Sequence, residues 1–170
     1  AREAHEHLGQ LAEMTLAMGA DEPGVFRFLP DEIEALIAIG RLDEARTTLE
    51  LLDDRARAVG RVSMIASACR CRALLAAELG DVDGARRALD EAFEHHGRLS
   101  QPFELGRTLL AAGRIERRGK RRTKAREALT AALELFDRLG AALFAEQAAA
   151  ELARVPGRRG RAGTELTATE

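Results

Sequence analysis

The chain has 170 residues, of which 46% are hydrophobic and 32% charged, with no Trp, no Tyr and only four prolines. That balance supports one domain-sized core, and the bias toward Ala, Leu, Arg and Glu, whose side chains lose little rotamer freedom in a helix, excludes a β-rich fold. Net charge is −2, yet residues 1–100 hold 12 Lys/Arg against 19 Asp/Glu (−7) while residues 101–170 hold 14 against 9 (+5). No apolar run spans a membrane and no charged leader precedes an apolar core, so a cytoplasmic chain without membrane partner is expected.

Residues 1–19 read as a helix whose apolar stripe is Ala4, Leu8, Leu11, Ala12 and Leu16. That stripe wants a neighbour, either an earlier part of a longer stack or a second copy in a homodimer. His5 and His7 are two apart on this helix and diverge, which is not metal-ligand spacing. Ala20, Gly40, Gly60, Gly80, Ser100, Gly119 and Gly140 then mark turns at nearly even steps. Each interval holds one helix and a short connection, and glycine suits the left-handed position after a helix end.

First helices are expected over 29–39, 62–79, 102–118 and 141–154, with Pro102 in a first turn, where its missing N–H is harmless. The second helices follow the turns. Leu42, Ala45, Leu49, Leu52, Ala56 and Val59 fall on one face, copied by Val82, Ala85, Leu89, Ala92, His96 and Leu99 and by Ala125, Leu129, Ala132, Phe136 and Leu139. Cys69 and Cys71 sit two apart on a helix, roughly 200° from each other, so they neither bridge nor share a metal. His96 occupies a core position and is expected to be hydrogen-bonded there; His95 and His96 diverge. From Val155 to Thr164 the composition is that of a linker, so the division is a helical domain over 1–154 and a linker over 155–170.

Gly40-Arg-Leu-Asp-Glu-Ala45 recurs as Gly80-Asp-Val-Asp-Gly-Ala85 and, more loosely, as Lys120-Arg-Arg-Thr-Lys-Ala125, giving a period of 40. Self-similarity at this spacing is the mark of stacked helix hairpins, an all-α solenoid of about eight helices. The small-residue turn, the Ala five positions later and the Leu four beyond resemble the second half of a tetratricopeptide repeat (TPR). Ala73 and Gly113 match the small position of its first helix; Ile33 does not.

Pro102-Phe-Glu-Leu-Gly-Arg-Thr-Leu-Leu110, Ala112-Gly-Arg-Ile115, Lys124-Ala-Arg-Glu-Ala-Leu129, Phe136-Asp-Arg-Leu-Gly140, Ala145-Glu-Gln-Ala148 and Glu165-Leu-Thr-Ala-Thr-Glu170 carry a narrower resemblance. They are similar to the C-terminal repeat region of the large ATP-binding LuxR-family regulators, the group containing the maltose-regulon activator. Leu166, Thr167 and Glu170 match the opening of that family's helix-turn-helix. The resemblance implies a sensor that receives an inducer or protein partner and contacts the regulator's own N-terminal ATPase and C-terminal DNA-binding domains. No Gly-Lys-Ser/Thr phosphate loop occurs, so no ATP site or other cofactor is carried over. A free-standing scaffold that binds peptides or self-associates is the alternative.

First helices line the concave face of such a stack, and repeat alignment places Arg27, Glu34, Ser67, Arg70, Arg107, Arg114 and Arg117 there. Arg70, Arg107, Arg114 and Arg117 are the candidate ligand or partner residues, because guanidinium groups clamp carboxylate and phosphate. Eight of the thirteen residues from Arg114 to Arg126 are basic. Solvation, an anion or partner surface and DNA all explain such a run, but no aromatic is interleaved for base stacking, and direct DNA binding is not expected. No catalytic set and no metal cluster is apparent, so no enzyme is expected.

Overall fold

The structure, a computed structural model, describes residues 1–17 and 27–156, the side chains of residues 12, 13 and 15–17 excepted. Eight helices follow one another among the described residues: α1 (Arg2–Ala17), α2 (Leu29–Ala38), α3 (Leu42–Ala58), α4 (Val62–Glu78), α5 (Val82–His96), α6 (Pro102–Arg118), α7 (Arg122–Leu139) and α8 (Ala142–Ala153). No described residue is in a strand, and the fold is an all-α helical repeat. No described helix is long and apolar enough to cross a membrane.

Five of the connections are one device repeated. At Gly40, Gly60, Gly80, Lys120 and Gly140 the chain turns left-handed (φ between 59° and 84°). The following N–H reaches back five residues, as in Arg41 N to Leu36 O and Arg121 N to Glu116 O, both at 2.9 Å. This is the Schellman closure of a helix end. It corrects one turn, since Lys120 rather than Gly119 takes the left-handed position (φ −74° at Gly119). The reason is the period: 40, 80 and 120 are equivalent, and Lys120 accepts a conformation that costs an L-residue roughly 1–2 kcal/mol. The connection near Ser100 is different, because α5 stops at His96 and the chain runs through Gly97 to Pro102 without a left-handed residue. Ala20 lies outside the described residues.

The even-numbered helices α2, α4, α6 and α8 approach one another in series, whereas the backbones of α3, α5 and α7 each approach only those of their chain neighbours. The stack is therefore two-layered and curved, with the even helices on the inner side. Leu49, Leu89 and Leu129 are all buried, as are Ala45, Ala85 and Ala125 at the equivalent position four residues earlier. Three apolar clusters run along the stack, between α2, α3 and α4, around α4 to α6, and among α6, α7 and α8. Helix α1 packs on α2 through a buried polar contact, His5 Nδ1 to Glu32 Oε1 at 2.6 Å, with Arg41 on the other ring nitrogen. Of its predicted stripe, Leu8 is half-buried and Ala4 and Leu11 are exposed, while Ala12 and Leu16 lie outside the described side chains.

The tightest helix contact is that of α6 with α7. A Cβ at Gly113 would stand 2.3 Å from Leu129 Cγ, and one at Gly106 2.7 Å from Phe136 Cε1. Both glycines are required by proximity to the neighbouring helix. At the start of the segment expected as a linker, 155–170, Val155 is buried and its carbonyl accepts from Arg126 at 3.0 Å. Residues 157–170, with the Leu166-Thr167-Glu170 motif, lie outside the described residues.

Gly113→Ala tests the packing. Helix propensity alone favours Ala by about 1 kcal/mol, but the clash with Leu129 reverses the sign, and a net loss of about 1–3 kcal/mol is expected in urea unfolding.

Candidate functional site

Arg70 and the other three predicted arginines all lie on the inner row, Arg70 on α4 and Arg107, Arg114 and Arg117 on α6. Arg70 is 1% exposed. Its Nε donates to Glu34 at 2.9 Å and its Nη1 to Glu104 at 2.7 Å, so one guanidinium bridges α2, α4 and α6. Arg107, 9% exposed, donates from Nη2 to Asp31 at 2.5 Å and to the same Glu34 at 3.0 Å. Arg114 donates to Gln147 at 3.2 Å, and Arg117 to Glu151 at 3.2 Å, both on α8.

Arg70, Arg107 and Arg114 do converge, lining one cavity with Glu34, Phe144 and Gln147. Its volume is only about 20 Å³, room for a single water and too little for an organic ligand. Arg117 does not line it; it lines a cleft of about 320 Å³ toward the C-terminal ends of the inner helices, with Arg114, Arg118, Glu78 and Glu151. There Arg118 pairs with Glu78 at 2.7 Å and Arg117 with Glu151 at 3.1 Å. The guanidinium groups read from the sequence as an anion clamp are thus already matched by Asp31, Glu34, Glu104 and Glu151.

Burial works against the charge of Arg70, but Glu34 and Glu104 outweigh it, and the guanidinium holds its proton more firmly than usual. Burial pushes the Glu104 carboxyl up, and Arg70 and Arg107 more than reverse this, leaving it below the ordinary 4.5. His96 is 6% exposed and its Nε2 shares a hydrogen bond with Thr108 Oγ1 at 2.9 Å, the core role expected of it. Burial first, then Arg70 nearby, lowers its affinity for a proton below the ordinary 6.5.

A further opening lies at the other edge. The inner helices run parallel, so the first turns of α2, α4 and α6 share an edge, where a groove of about 480 Å³ is lined by Arg27, Pro30, Arg61, Ser63, Met64, Ser67, Gln101, Pro102, Phe103, Glu104 and Arg107. Positions 27, 67 and 107 are equivalent under the 40-residue period, so part of the lining is one repeat position seen three times. The lining holds three arginines against one carboxylate, Glu104, and Arg27 makes no ion pair among the described residues. Ser67 is buried. Repeat alignment had indicated Arg27, Ser67 and Arg107; Arg61, Ser63 and Phe103, from the turns and first residues of the helices, lay beyond it.

Most of the Arg114–Arg126 run is tied down: Arg121 reaches Glu116 at 3.5 Å, and Arg126 reaches Val155 as above. Lys120, Arg122 and Lys124 remain exposed. The two thiols point apart as expected, Cys71 toward Pro30 O at 3.7 Å and Cys69 toward α5. Around Cys69 lies a group no local spacing announces: Asp53 and Arg57 from α3, Arg72 from α4, and Glu91 and His95 from α5. Burial, with Glu91 nearby, pushes the Cys69 thiol up to about 12.

Comparison with protein-family models, with curated proteins and with solved structures returns no match.

Three outcomes follow for solution work. Arg70→Met, which keeps the volume but leaves Glu34 and Glu104 a partner short, costs about 2–3 kcal/mol in urea unfolding. Arg46→Met, at an exposed pair with Asp43 (3.5 Å), changes stability by about 0.5 kcal/mol or less. Because His96 binds its proton more weakly folded than unfolded, its contribution is complete above pH 6.5 and declines as pH falls below it. Glu91 and Glu104, held below 4.5, add a second loss on acidification under that value. The first of these losses should vanish in His96→Gln when stability is measured across pH.

Proposed function

We propose that this chain is a non-catalytic receiving module, the sensor segment of a bacterial transcriptional regulator similar to the large ATP-binding LuxR-family proteins. An effector docks in the groove at the first turns of α2, α4 and α6, and occupancy is relayed along the stack toward the DNA-binding part. The groove carries the reading. Its volume of about 480 Å³ suits a small molecule. Arg27, which makes no ion pair among the described residues, favours an anionic group together with the N-terminal ends of α4 and α6. Met64, Phe103, Pro30 and Pro102 offer an apolar wall to the rest of it. The ligand class is a carboxylate or phosphate with an apolar body.

The family resemblance in Pro102–Leu110 and Phe136–Gly140 supports the regulatory context, and the matched charges of the inner row support a relay rather than a reaction. Each inner helix is tied to the next by ion pairs, so a ligand seated beside Arg107 touches the same network that reaches Asp31 and Glu34 on α2. The scaffold reading draws support from α1, where Leu11 and Met14 are exposed.

Titration of the isotope-labelled chain with aromatic and aliphatic carboxylates and phosphates, followed by amide NMR, tests it. Shifts are expected at Arg27, Ser63, Ser67 and Phe103, with Arg27→Glu weakening the best ligand roughly tenfold. Shifts confined to α3, α5 and α7, or sequence-selective DNA binding by this chain at physiological salt, would defeat the reading.

A further inference from the structure

We propose that Cys69, Glu91 and His95 form a transition-metal site for a borderline-soft divalent cation of the zinc type. One donor atom from each, the Sγ, a carboxylate oxygen and an imidazole nitrogen, lies within 4.8 Å of the other two. Glu91 and His95 stand four residues apart on α5, on one helix face. Cys69 comes from α4, packed antiparallel against it. Neither helix alone holds the set, which is why no spacing in the sequence shows it.

Three further observations support the assignment. His95 turns its Nε2 toward Glu91 at 3.9 Å, and neither ring nitrogen makes a hydrogen bond among the described residues. The histidine side chain is 20% exposed, which gives a path to solvent for the ion. Finally, Glu91 is free to turn, because both arginines that hold it have a second carboxylate. Arg57 donates to Asp53 at 3.0 Å as well as to Glu91 at 2.7 Å, and Arg72 donates to Asp53 at 2.7 Å as well as to Glu91 at 3.1 Å. With Glu91 on a metal, Asp53 still faces both guanidinium groups.

The donor set selects the ion. Sulfur, nitrogen and a single carboxylate suit zinc with three protein ligands and an open fourth position, whereas calcium and magnesium require more oxygens. Donors about 2.0–2.3 Å from one metal lie closer together than these do, so small side-chain rotations accompany binding. The Cys69 thiol exchanges its proton for the metal, and that proton leaves to solvent. Arg72 competes: its Nη1 stands 3.6 Å from Cys69 Sγ, beside the place the cation would take.

Cobalt(II) titration of the full chain, followed by absorption, is the test. A saturable thiolate-to-cobalt charge-transfer band with tetrahedral d–d bands at one equivalent, displaced by zinc, is expected. Cys71→Ser should leave it unchanged. Cys69→Ser should abolish it, and His95→Gln, at a partly exposed position where folding is not at stake, should weaken cobalt roughly a hundredfold. Arg72→Gln should tighten it about tenfold by removing a neighbouring positive charge. Absence of the band, its survival in Cys69→Ser, or wild-type affinity in folded His95→Gln overturns the assignment.

Discussion

A guanidinium sealed away from water sets the terms for the inner half of this molecule. Arg70 sits where the first helices of three successive hairpins meet, and it is tolerated there only because Glu34 on α2 and Glu104 on α6 reach it from either side. Glu34 is shared with Arg107, which in turn holds Asp31. Desolvated charges of this kind contribute little net stability against a hydrophobic alternative, but they penalise any arrangement that leaves one of them alone. Such a network therefore fixes how α2, α4 and α6 sit relative to one another. Apolar contacts between alanines and leucines, which slide more easily, fill the space between the layers.

This arrangement separates two roles that arginine could play on a concave face. Where α4 and α6 face each other in mid-helix, the cations are consumed by the protein's own carboxylates and the remaining space holds about one water. At the first turns the balance changes, because Arg27 joins the lining with no ion pair among the described residues and Glu104 is the single carboxylate there. A positive charge thus stands at one edge of the inner layer, next to apolar side chains and Ser67.

Much of the architecture was legible because helical spacing and the repeat are local or strictly periodic signals. Leu49, Leu89 and Leu129 announced the inner face of the second helices, and the period set Arg27 and Ser67 level with Arg107, and Glu34 level with Arg114, on the first helices. What periodicity cannot show is anything that breaks it. Asp31 and Glu104, the counter-charges that change the meaning of the arginines, occupy different repeat positions, and their equivalents at Cys71 and Met64 carry no charge. Lys120 hid its left-handed turn behind Gly119, since residue type pointed to one position and the period to the other. Cys69, Glu91 and His95 meet only across an antiparallel helix pair, so no spacing within one helix brings the three together.

Among α3, α5 and α7 no backbone comes close to another, and α3 meets α5 through side chains, the Arg57–Glu91 ion pair at 2.7 Å and Ala92 of α5 within the cluster of α2 to α4. The outer row is thus joined by side-chain reach, whereas the inner row is joined by close helix approach and shared carboxylates. A bend about the inner row is taken up first by Arg57 and Glu91, whose exposed ends can part and meet water, and last by the sealed charges around Arg70.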